Sequence, residues 1–69
     1  MENFNITVNN INYLIEPQDN GTYRVMDGEE KIGVIYAESV DEKKEWRTLD
    51  ELESEFVSAA GEQIAIHNN

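Results

Sequence analysis

Residues 4–15 read FNITVNNINYLI, and how they pair decides the architecture. Phe4, Ile6 and Val8 alternate with Asn5 and Thr7, the period of a half-buried strand. Asn9-Asn10 interrupts the pattern, and asparagine tolerates the positive φ that a tight hairpin turn demands. Turning there sets Val8 against Ile11, Ile6 against Tyr13 and Phe4 against Ile15. All six apolar side chains then share one face, whereas a slip of one residue scatters them. Strands over about 4–8 and 11–16 therefore form an antiparallel hairpin with one apolar side.

The same logic extends along the chain. The turn-forming run Pro17-Gln18-Asp19-Asn20-Gly21 ends the second strand. A third strand is predicted over about 22–26 and a fourth over about 31–38, joined through Asp27-Gly28-Glu29-Glu30. A tight turn at Gly28-Glu29 pairs Val25 with Ile32 and Tyr23 with Val34. Tyr36 continues that face opposite Gly21. Residues 39–45, SVDEKKE, are charged and aperiodic, so a loop is expected, with Lys43-Lys44 solvated among acids. Trp46-Arg47 reads either as a short fifth strand or as the lead into a helix, with Trp46 at the sheet–helix junction.

A helix is predicted over about 49–66. Thr48-Leu49-Asp50-Glu51 matches a capping box, and acids favour the positive end of a helix. Leu49, Leu52, Phe56, Ala59 or Ala60, and Ile64 recur at helical spacing as one stripe. Gly61 either ends the helix or sits inside it, at about 1 kcal/mol relative to alanine; Ile64 extends the stripe and favours continuation. His67, Asn68 and Asn69 are expected to fray. A sheet with one apolar face and a helix with one apolar stripe bury each other most simply as two layers. The expectation is one small α+β domain over 1–69. It has a four-stranded antiparallel meander, with room for a fifth strand near Trp46, and a C-terminal helix packed on one face.

Composition limits what such a domain does. Fifteen acids against five bases give a formal charge of −10. That balance opposes binding to phosphate backbones, which Lys and Arg drive by releasing counterions, and adsorption to anionic membranes. It serves solubility or matches a basic partner. With no cysteine, disulfides and thiolate metal sites are excluded. No apolar run approaches the ~18 residues that span a bilayer, and the first residues lack the pattern of a signal peptide. Cytoplasmic residence is the expectation.

Catalytic constellations are not legible. The one histidine, His67, lies where fraying is expected, and a general base must be held in place. Ser39, Ser54 and Ser58 have no neighbouring base. Glu51, Glu55 and Glu62 share a polar helical face, yet calcium takes about six to eight oxygens from a folded loop, and no such loop motif occurs. Asn5-Ile6-Thr7 and Asn20-Gly21-Thr22 fit the glycosylation sequon without an accompanying secretion signal. The reading is therefore of a protein that is not an enzyme and takes no cofactor or metal.

Two unlike surfaces remain. The helix carries an acidic face with Asp50, Glu51, Glu55 and Glu62. The strand register sends Asn5, Thr7, Asn12, Leu14, Arg24, Met26, Lys31, Gly33 and Ile35 to the outer side of the sheet. Of these, Leu14, Arg24, Met26, Lys31 and Ile35 form the candidate interaction face for a protein partner or a second copy. The acidic helix face is the alternative, as a nucleic-acid mimic toward a basic protein. The order of strands and helix is also similar to that of small domains that read DNA with an open sheet, such as integrase arm-binding domains. That resemblance implies sheet-face nucleic-acid binding, which the net charge opposes.

Overall fold

The computed structural model describes residues 2–68. Asn69, the last residue of the tail expected to fray, lies outside them. The strands are β1 (Phe4–Val8), β2 (Ile11–Pro17), β3 (Thr22–Asp27), β4 (Glu30–Val40) and β5 (Lys43–Thr48), followed by α1 (Ser54–Asn68). They form an antiparallel sheet in the order β1-β2-β3-β4-β5. The helix touches both edge strands, β1 and β5, as well as β4. One helix reaches both edges because the sheet curls around it, as right-handed twist and bulges allow. The fold is thus an α+β meander, with five strands where the sequence secures four.

The first hairpin forms as its alternation requires. Phe4 pairs with Ile15, Ile6 with Tyr13 and Val8 with Ile11. Asn9 and Asn10 both take positive φ, 51° and 67°, as a type I′ turn needs. The β2–β3 connection is closed by Gln18 N–H to the Thr22 carbonyl at 2.9 Å. There the Asn20 carboxamide oxygen accepts from the Thr22 hydroxyl at 2.7 Å and from its N–H at 3.2 Å.

The second hairpin departs from expectation. Its turn lies at Gly28-Glu29, with Asp27 opposite Glu30 and Met26 opposite Lys31, and Gly28 takes the positive φ. Beyond that the register shifts: Val25 lies opposite Gly33, Arg24 opposite Val34, Tyr23 opposite Ile35 and Thr22 opposite Tyr36. Ile32 is the extra residue of a β-bulge, and such an insertion exchanges the faces of everything after it. Hence Ile35, expected on the outer face, is fully buried in the core, and Gly33 also turns inward. Val34 and Tyr36, expected inward, face out. Ile32 still packs against the core, which is what the bulge achieves: Ile32 and Ile35 both face the helix.

Two further expectations are corrected. Residues 39–45 are not a loop. β4 runs to Val40 and β5 begins at Lys43, joined at Asp41-Glu42 with φ of 49° and 68°. Aspartate tolerates that backbone but glutamate does not favour it, so Glu42 carries strain that flanking strand pairing must offset. Nor does Thr48 cap the helix. It ends β5, and its hydroxyl donates to the Val34 carbonyl at 2.7 Å while accepting from Asp50 N–H at 3.1 Å. Residues 49–53 run alongside the first half of β4 before the helix starts. Its first backbone bond runs from Val57 N–H to the Glu53 carbonyl.

The core comprises Ile6, Val8, Ile15, Val25 and Ile35 from the sheet and Val57, Ala60 and Ile64 from the helix. The buried stripe is therefore Val57-Ala60-Gly61-Ile64, the i, i+3, i+4, i+7 pattern of one helical face. It does not include Leu49, which is 91% exposed. The helix does continue through Gly61, for a reason of space. A Cβ there would overlap the Trp46 indole, so the missing side chain lets the ring lie on the helix backbone. Trp46 thus sits at the sheet–helix junction, with Tyr23 tilted against it at 5.8 Å. His67 and Asn68 belong to the helix rather than to a frayed tail: the His67 ring stacks on Phe4 at 3.7 Å, and the Asn68 amide donates to the Tyr23 hydroxyl at 3.3 Å.

Candidate interaction surface

The outer side of the sheet is set by the same register. Leu14 lies directly opposite Met26, and the bulge adds Val34 beside Arg24 and Tyr36 beside Thr22. All four apolar residues are half-buried although the face is open, because cross-strand neighbours on a pleated surface crowd one another. Of the expected face, Leu14, Arg24, Met26 and Lys31 are brought together. Ile35 is not; Val34 and Tyr36 take its place.

Next to this row lies a shallow apolar depression walled by Thr22, Lys31, Val34, Tyr36, Leu49 and Asp50. The segment after β5 builds its rim. The Asp50 carboxylate accepts the Val34 N–H at 2.8 Å, holding that segment against β4. Leu52 is drawn inward over Gly33, where a Cβ would come within 2.7 Å of its methyl carbon. With both neighbours fixed, Leu49 projects into solvent at the lip. Sequence reasoning placed Leu49 in the core and missed its exposure; the glycine in the middle of β4, which makes room for Leu52, was the available signal.

Charge is distributed unevenly over the molecule. Alternation along β3, β4 and β5 turns Arg24, Lys31, Lys43 and Arg47 outward, with Glu16, Glu38 and Glu45 among them. Four of the chain's five bases therefore lie on the face opposite the helix. Two are engaged: Arg24 with Glu16 at 3.1 Å and Arg47 with Glu45. Partly exposed pairs of this kind contribute about 0–1 kcal/mol, so they order the face more than they stabilise the fold.

The alternative acidic face is divided by the late helix start. Glu55 and Glu62 are exposed on α1, while Asp50 and Glu51 lie in the segment before it. Asp50 is occupied as the acceptor for β4. Among the described residues no three His, Cys, Asp or Glu side chains are gathered as metal ligands, and no helix is long and apolar enough to cross a membrane. Comparison with protein-family models, with curated proteins and with solved structures finds no match for this chain.

Proposed function

We propose that this is a non-catalytic interaction domain that docks a protein partner through the outer face of its sheet. The observation that carries the reading is Leu49, 91% exposed at the rim of a depression shared with Val34 and Tyr36. Apolar residues scattered singly on a surface are ordinary, but here Val34, Tyr36 and Leu49 share one depression, and the Leu14–Met26 pair lies on the same face across Arg24 and Lys31. A contiguous apolar patch with a polar rim is the usual form of a protein-binding surface. The local mixture of bases and acids favours a protein over a phosphate backbone, since Arg24 and Arg47 already have carboxylate partners.

Affinity capture from the native cell, with wild type and variants side by side, tests the proposal. Met26→Asp and Tyr36→Asp place a charge in the patch and should abolish capture of the same protein, while Glu55→Lys with Glu62→Lys should leave it. The opposite pattern, with capture also lost in high salt, would instead support an acidic surface that mimics nucleic acid toward a basic protein. Direct titration with duplex and single-stranded nucleic acid at low salt completes the test. Binding there would move the same face to a different class of ligand.

A further inference from the structure

The two edges of the sheet are protected unequally. β5 carries Lys43, Lys44, Glu45 and Arg47 along its length, the charges with which sheet edges resist pairing with another chain. β1 is Phe4-Asn5-Ile6-Thr7-Val8, with no charge, proline or bulge. The absence extends further: from Asn3 to Ile15 the sequence has no charged residue, while fourteen of the fifteen acids and all five bases lie from Glu16 onward.

The hairpin geometry shows what this edge offers. Val8 and Ile11 flank a two-residue turn, so they form its closing hydrogen-bonded pair, and such pairs alternate along an antiparallel ladder. Phe4 and Ile6 therefore bond toward β2, and Asn5 and Thr7 direct their N–H and C=O groups away from the sheet. Both residues are exposed, and among the described residues no further backbone bond involves β1.

We propose that two copies of this chain pair antiparallel through their β1 edges. The arrangement is two-fold, with Asn5 of one copy opposite Thr7 of the other about Ile6. Like strands are self-complementary in that orientation, as an isologous contact requires. Charge sets where a second copy can approach: two molecules of −10 repel over most of their surface, and the uncharged hairpin is where they meet with least penalty. Because the repulsion is screened and the strand contact is not, association strengthens with salt between ~0.05 and ~0.5 M.

Sedimentation equilibrium of the full chain from micromolar to millimolar concentration is the test. The weight-average mass should rise from 7.9 kDa toward twice that value, more readily at high salt. The double variant Asn5→Lys, Thr7→Lys should stay monomeric with an unchanged circular dichroism spectrum. Should that variant fail to fold, amide exchange of the wild type decides, since only the Asn5 and Thr7 N–H groups of β1 should slow as concentration rises. A chain that stays monomeric throughout overturns the pairing. So does a dimer that survives both lysines, or one that Tyr36→Asp dissolves.

Discussion

On its inner side the sheet gives Ile6, Ile15, Val25 and Ile35 to a helix that answers with Val57, Ala60, Gly61 and Ile64. On its outer side the same strands give Leu14, Met26, Val34 and Tyr36, interleaved with Arg24, Lys31 and Arg47, and among the described residues no helix or strand packs on them. Ile35 and Tyr36 are neighbours in sequence, both large and apolar, yet they serve opposite faces. The pleat separates them, and a single inserted residue, Ile32, decides which of the two faces the helix. The difference teaches that hydrophobicity alone does not say which side of a sheet is the core. The count of residues along the strand does.

The largest effect should come from the inner side. Ile35→Ala empties fully buried volume and is expected to cost about 2–5 kcal/mol in chemical denaturation. A loss below half a kilocalorie would move Ile35 to the open face. Gly61→Ala should come next, and with a sign opposite to the usual one. In an ordinary helix the change gains about 1 kcal/mol. Here the new methyl meets the Trp46 ring, and overpacking should cost about 1–3 kcal/mol, visible as a changed indole fluorescence and a lower midpoint. A gain would mean that Trp46 does not rest on the helix.

Smaller effects sharpen the contrast at the chain reversals and the rim. Glu42→Gly relieves a positive φ that glutamate accommodates poorly, and should raise stability by up to about 1 kcal/mol. Leu49→Ser should change stability by less than about 0.5 kcal/mol, the usual scale for exposed sites, while reducing capture of a partner. A loss of several kilocalories there would restore Leu49 to the helical stripe.

What was legible in the sequence follows from where signals were redundant. Residues 4–15 have two alternating runs and a turn of asparagines, and each constrains the other, so pairing and face were both fixed. In β4 the alternation of Ile32, Val34 and Tyr36 is as regular as that of Lys31, Gly33 and Ile35. Only Gly33 inside a strand pointed to a bulge. The β4–β5 turn was hidden because Asp41-Glu42 is not a pair that turns of its type prefer. The run Thr48–Glu51 fits a capping box, but Thr48 is held by Val34 across the sheet, and tertiary contacts override a local signal. Gly61 was ambiguous because the ring that needs its space comes from fifteen residues earlier, Trp46. The candidate site inherited these errors: all five residues were expected on the outer face, and Leu14, Arg24, Met26 and Lys31, which precede the bulge, lie there, whereas Ile35, which follows it, lies in the core.

The register of β3 against β4 is therefore the point on which both the core and the open face depend. Cross-strand backbone NOEs in solution measure it directly. The account predicts contacts from Arg24 to Val34 and from Tyr23 to Ile35, with Ile35 protected in the core and Tyr36 facing solvent. Contacts from Tyr23 to Val34 instead would remove the bulge, return Ile35 to the surface and contradict the assignment of the interaction face.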